Sequence, residues 1–528
     1  MKMKKLLALV LALVMVLSLA ACSKAPAESS TEAAKTEAAG TEAAGTEAAG
    51  TEAAETKAAE GNYPKLRLNM TSFTGEAPAH APEVLDALNA QLREKAGAEV
   101  EFVWVGFADM RTQLNLLLTG GDDSLDILNS FWYAPLGELV ANGQVAPLDD
   151  LLKSDGQDIL KLYEPYQEVL DCGKVNGQIY GIPTFTAWSS PNIYLCYEEE
   201  AKGIEMHDID TIDQLTEILV QLKEKNPDKY FIPGATEPYW VPKGIDYLGD
   251  TNYLGVLMDC TKDTTVTNYY ESEYFENFLD NVKIWKEKEI ISPDSMSNPN
   301  PTLMSFQNKI SYGTPGYGYN MTNTIYEANA SQQYGANITG FEIGERLLTT
   351  GNINTYLYHV TSFCKEKEAA MRVLNLLYTD PEVAQIYTNG VKDVTYGIND
   401  KGQCCYVNGA TDANSAGWSV GYAYANPNDF LTPTWDYQRE DAYDLMKQDN
   451  ANAIPSLALG FTCDLSPVAD QVGACANVIA QYYNPLMNGE VDIDEVLPQF
   501  QQALHDAGID AIIAEKQKQL NAWLEAKK

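Results

Sequence analysis

The chain has 528 residues and a formal net charge of −38 at pH 7, from 36 basic and 74 acidic side chains. A surface this acidic repels nucleic acid and anionic lipid, which excludes both as partners of the folded part. The apolar content of 45% is ordinary for a globular chain. Beyond the first 61 residues, no run approaches the roughly eighteen uninterrupted apolar residues that a membrane-spanning helix needs.

The first 21 residues have the pattern of a secretory signal. A lysine-rich start precedes an apolar run from Leu6 to Ala21, which is too short to span a bilayer. The run ends in Leu-Ala-Ala-Cys at Cys22, which looks like the bacterial lipobox, where cleavage leaves a cysteine that carries diacylglycerol. Two acyl chains, at about 0.8 kcal/mol per buried methylene, hold a protein on a membrane. We predict a lipid anchor at Cys22, on the extracytoplasmic face of a Gram-positive cell membrane; the alternative is an ordinary secreted cysteine.

Residues 22–61 are predicted to be a lipid-anchored low-complexity linker. From Ser23 to Gly61 the chain is nearly pure Ala, Glu, Thr and Gly, with the unit Thr-Glu-Ala-Ala-Gly repeated. A five-residue period advances about 140° around a helix, so the repeat forms no apolar stripe that could pack on a core. This segment is therefore expected to tether the folded part.

The chain after the linker alternates between strand and helix patterns, and Asp109 is expected to cap one of the helices. The resulting βαβαβα order predicts a parallel sheet with helices on both faces, which binds ligands beyond the C-terminal ends of its strands. The predicted elements are strands at Lys65–Met70, Glu99–Val105 and Leu125–Phe131, and helices at Pro82–Ala96, Asp109–Leu118 and Pro135–Ala141.

A second α/β region follows, and the last quarter is helical. Thr211 and Gln214 form a plausible capping box at the start of one amphipathic helix. Apolar residues at helical spacing between Phe275 and Trp285 mark another, and helical spacing predicts that they pack in a core. The predicted C-terminal helices are Val468–Tyr483, Ile493–Ala507 and Ile509–Ala526.

Eight cysteines follow Cys22 and are scattered, without a Cys-x-x-Cys pair or a histidine at zinc-ligand spacing. We therefore predict neither a metal site nor a cofactor. Export permits disulfides, but buried free thiols fit the pattern as well, so the sequence leaves their pairing open. They are Cys172, Cys196, Cys260, Cys364, Cys404, Cys405, Cys463 and Cys475.

Several short motifs occur in an order that resembles extracellular solute-binding proteins of family 1, the group that includes maltose-binding protein and serves ATP-driven sugar importers. One of them, Glu237–Trp240, falls where maltose-binding protein has a Glu-Pro-Tyr-aromatic sugar contact. The C-terminal motifs are similar to the LipO-like lipoprotein branch, except that Asp429 replaces an expected glutamine. The motifs are Asp126–Trp132, Gly143–Leu148, Gly177–Pro183, Asn192–Tyr197, Glu237–Trp240, Asn428–Leu431, Ala458–Thr462, Ser466–Val468, Leu497–Phe500 and Ala507–Asp510.

The resemblance implies an α/β, two-lobed periplasmic-binding-protein-like fold of type II. Its lobes are discontinuous in sequence and joined by a hinge, and its C-terminal region is helical. The expected boundaries are residues 62–184 and 306–360 for lobe 1, and residues 185–305 and 361–528 for lobe 2.

A sugar-binding cleft in such a fold needs aromatic rings that stack on C–H faces and fixed polar groups for the hydroxyls. The aromatics expected to contact ligand lie in loops, where packing beneath the loop is the alternative explanation. They are Trp132, Tyr133, Trp188, Tyr239, Trp240, Tyr317, Trp418 and Trp435. The expected polar contacts are Ser72, Thr74, Ser130, Glu237, Asp246 and Asn428, although turns and caps explain Asp and Asn equally well.

The resulting hypothesis is a monomeric, lipid-anchored receptor that captures a carbohydrate, presumed to be a neutral oligosaccharide, without catalysis. It would deliver the ligand to the permease subunits of an ABC importer with a separate ATPase, since the chain contains no Gly-x-x-x-x-Gly-Lys-Ser/Thr loop. A peptide receptor of the same fold and a cell-surface glycoside hydrolase are the alternatives. Gly417–Gly421 matches the Gly-x-Ser-x-Gly elbow of esterases, but it lacks the preceding apolar strand.

Overall fold

The computed structural model describes residues 62–527, apart from 73–74, 121–123, 132–134, 190–191, 235–243, 250–251, 297–304, 307, 318–330, 332–334 and 419–424. Residues Asn62–Lys528 form one compact unit. The predicted lipidation site at Cys22 and the linker lie outside the described residues.

The described strands are short and fall into several sheets. They are β1 (Lys65–Ser72), β2 (Glu99–Gly106), β3 (Ile127–Asn129), β4 (Lys174–Val175), β5 (Gln178–Ile179), β6 (Ile182–Pro183), β7 (Asn192–Tyr197), β8 (Val256–Leu257), β9 (Val266–Thr267), β10 (Gly313–Tyr317), β11 (Ile338–Ile343), β12 (Leu347–Leu348), β13 (Leu357–Val360), β14 (Gly397–Ile398), β15 (Cys404–Cys405) and β16 (Ile454–Pro455).

The helices cover the sheets and dominate the C-terminal part. They are α1 (Ala81–Lys95), α2 (Met110–Thr119), α3 (Leu136–Ala141), α4 (Asp149–Ser154), α5 (Gln157–Leu162), α6 (Gln167–Asp171), α7 (Glu198–Ala201), α8 (Ile212–Lys225), α9 (Glu273–Glu287), α10 (Thr350–Asn354), α11 (Lys367–Thr379), α12 (Pro381–Asn389), α13 (Ala442–Asn452), α14 (Ala469–Met487), α15 (Ile493–Ala507) and α16 (Ile509–Ala526).

Lobe 1 is built on a five-stranded sheet in the order β2-β1-β3-β13-β6. The first three strands are parallel, as predicted, and β13 runs antiparallel between β3 and β6. Val84, Leu88 and Leu92 are buried on one side of α1, because residues four apart share a helix face. They pack in a core with α11 and α12, while α2 and α3 cover the other side of the sheet. Asp109 stands at the start of α2, but its side chain makes no capping hydrogen bond, so that prediction was wrong.

Lobe 2 is built on β7, which pairs antiparallel with β10 on one side and with β11 on the other. The predicted capping box is present at the start of α8, where the Thr211 side chain accepts from the Gln214 backbone N–H. Trp285 of α9 is fully buried, and its indole N–H donates to Thr216 Oγ1 of α8 at 2.7 Å. These helices share a core with α14, α15 and α16.

The second segment of each lobe differs from the predicted boundaries. Strands β10 and β11, expected in lobe 1, pair with β7 in the lobe 2 sheet. Helices α11 and α12, expected in lobe 2, pack in the lobe 1 core. The chain therefore returns to lobe 1 after β11, and residues 364–389 complete the helical face of that lobe.

Three segments connect the lobes. We name them the first crossing segment (Thr184–Ser189), the second (Gly344–Thr349) and the third (Ser456–Cys463). The second pairs with β16 through β12, and the third contacts both lobes, since Leu459 lies in the lobe 1 core and Phe461 packs against Trp523 of α16.

The C-terminal helices agree closely with their predicted bounds. Helix α14 begins one residue later than expected and ends at Met487, and α15 and α16 match the prediction. Gly508 separates α15 from α16 with φ of 101°, a conformation that glycine adopts without strain. None of the described helices has both the length and the apolar character required to cross a membrane.

The eight cysteines after Cys22 carry reduced thiols, and six of them are buried. Burial raises the pKa of Cys172 to about 12, so this thiol stays protonated at neutral pH. The sequence left disulfide pairing open, and the structure shows thiols rather than disulfides in six buried and two half-buried side chains.

Candidate functional site

The C-terminal ends of the parallel strands meet at one edge of the lobe 1 sheet, which we call the lobe 1 edge. Asn69 of β1 and Asn129 of β3 join the two strands there: Asn69 Nδ2 donates to Asn129 O at 3.0 Å, and Asn129 N donates to Asn69 Oδ1 at 2.8 Å. Predicted residue Ser72 ends β1, and its hydroxyl donates to Glu76 O at 3.0 Å. Predicted residue Ser130 is buried, and its backbone N–H donates to Leu357 O at 3.0 Å.

Aromatic side chains support this edge. Phe131 stacks on Tyr356 with ring centroids 5.5 Å apart, and Phe107 lies 6.1 Å from Phe131. Phe107 follows β2 as Phe131 follows β3, so a search for aromatic residues at parallel strand ends would have selected both. Trp132 and Tyr133, which follow Phe131, are the predicted ligand contacts at this position.

The first crossing segment is held by aromatic packing. Predicted residue Trp188 is only 4% exposed, and its indole N–H donates to Thr184 O at 2.9 Å. Its ring lies 4.9 Å from Phe185 and 5.2 Å from Tyr166 in edge-to-face geometry. In this arrangement Trp188 fixes the crossing segment against lobe 1.

The lobe 2 sheet presents its own edge toward the crossing segments, formed by Asn192, Tyr317 and Ile343, which are paired neighbours. Tyr317, a predicted contact, ends β10 at this edge, but its side chain is not among those that the structure describes.

Predicted residue Asp246 lies inside lobe 2 rather than at its edge. Its carboxylate accepts from Leu248 N at 2.8 Å, and it is 1% exposed. Burial raises the pKa of Asp246, while a hydrogen bond from Ser456 and the charge of Lys516 act in the opposite direction.

Three further predicted residues lie on the 389–438 side of lobe 1. Trp418 is buried 5.8 Å from Phe102 and donates to Tyr387 O. Asn428 donates to Tyr378 O at 2.9 Å. Trp435 is half-buried between two tyrosines, at 4.5 Å from Tyr406 and 5.9 Å from Tyr437. Trp418 therefore packs against strand β2 and α12, Asn428 contacts α11 and pairs with Phe185 of the first crossing segment, and Trp435 packs within its own segment. The predicted residues Thr74, Trp132, Tyr133, Glu237, Tyr239 and Trp240 lie outside the described residues.

Arg346 of the second crossing segment is paired with two carboxylates. Its guanidinium pairs with Glu342, with Nε at 3.1 Å from Oε2, and also with Asp449 of α13. Two carboxylates therefore balance this charge and tie the second crossing segment to α13. Among the described residues, no group of His, Cys, Asp and Glu side chains is arranged to hold a metal ion.

A two-lobed α/β fold with three crossing segments and polar strand ends at a sheet edge defines the type II solute-binding class. Residues 77–384, more than half of the chain, match the family described as bacterial extracellular solute-binding protein. The chain belongs to that family. Residues 457–525 match a domain of unknown function.

The chain is similar to known proteins over most of its length. It is 27% identical over 475 residues to a carbohydrate ABC transporter substrate-binding protein of Streptococcus pneumoniae serotype 4, which covers 86% of this chain and 90% of that protein. The crystal structure of the N-glycan transport solute binding protein NgtS from S. pneumoniae superposes with a TM-score of 0.75 at 22% identity, covering 88% of this chain and all of that one. NgtS in complex with Man5GlcNAc gives a TM-score of 0.67 at 23% identity, covering 88% and 99%. These structures establish the fold.

Proposed function

We propose that this protein is the carbohydrate-binding receptor of an ABC importer and captures an oligosaccharide between its two lobes. The observation that carries the proposal is similarity over 86% of the chain to a carbohydrate ABC transporter substrate-binding protein. The shared fold with an N-glycan receptor supports it. A ligand that contacts both lobes favours the closed state only through its higher affinity for that state.

The chemistry of the lobe 1 edge fits a sugar. Its strand ends carry hydroxyl and amide groups, which can bond to sugar hydroxyls, and the buried Phe131–Tyr356 pair packs beneath them. Ser72 is a proposed polar contact of lobe 1, and Ser130 is the deeper of the two, 3% exposed and with its hydroxyl donating to Leu357 O at 3.4 Å. The predicted loop aromatics and the remaining predicted polar residues stay proposals for the ligand-contacting set.

We propose a neutral glycan as the ligand. The net charge of −38 disfavours an anion over the whole surface, and the Arg346 guanidinium is already balanced by Glu342 and Asp449. A uronate would therefore have to compete with two carboxylates for this cation.

A thermal-shift panel of neutral oligosaccharides, uronate oligosaccharides and peptides tests this function. A neutral oligosaccharide at 100 times its dissociation constant should add about 2.7 kcal/mol to the free energy of unfolding. Chromatography of the same samples should recover the sugar intact, because the proposed receptor does no chemistry. Stabilisation by peptides alone would point to a peptide receptor, and shortened sugar would point to a glycoside hydrolase.

Trp240→Ala should weaken oligosaccharide binding by about 1–3 kcal/mol, because a ring that stacks on a sugar loses its contact area. Calorimetric titration measures the change. Ile284→Ala is the control, since it also removes a large apolar side chain and Ile284 is 38% exposed on α9. Equal affinities of the wild type and Trp240→Ala would remove Trp240 from the proposed site.

The proposed partners are the permease subunits of an importer and a separate ATPase, with the receptor acting as a monomer. Its proposed location is the extracytoplasmic face of the cell membrane, through a lipid on Cys22.

Cys22→Ala should release the protein from the membrane fraction into the medium and abolish incorporation of labelled palmitate. Continued membrane retention of the variant would show that Cys22 is not the anchor.

A further inference from the structure

Asp429 lies where a loop contacts the first crossing segment. It begins a short 3-10 turn, Asp429–Leu431, and is 3% exposed. Two backbone hydrogen bonds join the loop to the segment: Phe185 N donates to Pro427 O at 2.8 Å, and Asp429 N donates to Phe185 O at 3.1 Å. The loop therefore extends the segment by strand-like pairing at the point where the chain leaves lobe 1.

The Asp429 carboxyl group is held by neutral partners. Thr186 Oγ1 of the crossing segment donates to Oδ2, and Asn426 Nδ2 lies 2.9 Å from Oδ1. No lysine, arginine or histidine among the described residues is recorded in an ion pair with it. The Asp429 carboxyl group also interacts electrostatically with the ionisable side chain of Tyr443 of α13. The ammonium of Lys447, also on α13, lies 5.0 Å from the ring centre of Phe430.

We propose that Asp429 is a titratable positioning residue of the hinge: protonated, it holds the 426–430 loop against the first crossing segment, and its ionisation releases that contact. Because the segment joins the lobes, the freedom of the lobes to reorient would then depend on pH. This consequence for ligand capture rests on the proposed function, whereas the contact itself is tested without ligand.

The reasoning follows from desolvation. Burial raises the pKa of Asp429 to about 7, against an ordinary value of 3.8, and the donors Thr186 and Asn426 only partly oppose it. The proton is therefore bound in the described arrangement at pH values where a hydrated aspartate has lost it. Between about pH 4 and pH 7, an arrangement that admits water to the carboxylate therefore gains weight by up to tenfold per pH unit, and above pH 7 the ratio of the two arrangements no longer changes.

Hydrogen–deuterium exchange of the full chain, without ligand, between pH 5.5 and 8.5 tests the proposal. The reporters are the amides of Phe185 and Asp429, which make the two hydrogen bonds between loop and segment. Their exchange rates in the wild type are divided by those in Asp429→Asn, so that the intrinsic pH dependence cancels. The ratio should rise by up to tenfold per pH unit from pH 5.5 to about 7 and should level off above that pH.

Two further variants keep the test independent of any folding defect in Asp429→Asn. Thr186→Val removes a donor to the carboxylate, so the pKa of Asp429 should rise and exchange should level off at a higher pH than in the wild type. Asp436→Asn removes an exposed carboxylate further along the same loop and should leave the wild-type profile unchanged. A flat ratio, an unmoved Thr186→Val profile, or a profile altered equally by Asp436→Asn would overturn the proposal. Because no ligand is present, these outcomes are separate from the fate of the carbohydrate-binding proposal.

Discussion

Gly313→Ala should lower the free energy of unfolding by about 3 kcal/mol, because β10 has no room for a side chain at this position. A Cβ atom there would lie 1.8 Å from Tyr194 Oη and 2.8 Å from Phe231 O. Tyr194 is fully buried and donates to the same Phe231 carbonyl at 2.9 Å. The variant therefore combines overpacking, at about 1–3 kcal/mol, with the loss of a buried hydrogen bond, at about 1–3 kcal/mol. Equilibrium denaturation in urea measures the loss.

Gly316→Ala is the matched control in the same strand. The nearest atom to a Cβ at this position is Ile193 Cγ1 at 3.9 Å, which is an ordinary van der Waals contact. This variant should change stability by no more than about 0.5 kcal/mol. Equal losses in the two variants would contradict the packing of β10 against β7 and the burial of Tyr194 beneath it.

His359 should make the protein sensitive to acid. It is fully buried in β13, its Nδ1 lies 2.7 Å from Tyr180 O, and its Nε2 has no partner among the described residues. Burial lowers the pKa of His359 to about 4, although the hydrogen bond to Tyr180 favours the charged form. Between pH 6.5 and 4 the unfolded chain binds a proton here that the folded chain does not. Acidification through this range should therefore remove about 3 kcal/mol of stability through this residue.

The measurement is the free energy of unfolding at pH 7 and at pH 4 for the wild type and His359→Gln. The variant should lose about 3 kcal/mol less than the wild type on acidification, since glutamine does not titrate. His207→Gln serves as the control because His207 is exposed, with its Nδ1 3.3 Å from the backbone oxygen of Glu205. An acid-induced loss that is the same in wild type and His359→Gln would show that this histidine takes up its proton without unfolding.

Helices that are specified by neighbouring residues in the sequence could be predicted. The apolar spacing of α1, α8 and α9 follows directly from the helical period, and the capping box of α8 needs only Thr211 and Gln214. The lobe to which a strand belongs could not be predicted in this way, because it depends on pairing between distant parts of the chain. Pairing of β10 and β11 with β7 joins residues more than a hundred positions apart, and nothing in the alternation of those strands specifies the partner.

The candidate site shows the same limit. Trp188 and Trp418 were selected because they lie outside periodic apolar patterns, yet both are 4% exposed and pack beneath their own loops. A sequence shows that a large ring lies in a loop, but the three-dimensional path of that loop decides whether the ring meets solvent or core. Their role as ligand contacts stays a prediction. The role of Ser72 and Ser130 likewise stays a prediction, although their place at the strand ends follows from the convergence of parallel strands at one edge.

The central claim is that two lobes hold an intact oligosaccharide between them. The most direct test is a crystal structure with the neutral oligosaccharide that gives the largest thermal shift. We expect uncleaved sugar within hydrogen-bonding distance of the lobe 1 edge and, at the same time, of residues beside the lobe 2 edge at Asn192 and Tyr317. Sugar bound to one lobe alone on an outer surface, or present only as a cleaved product, would contradict the account.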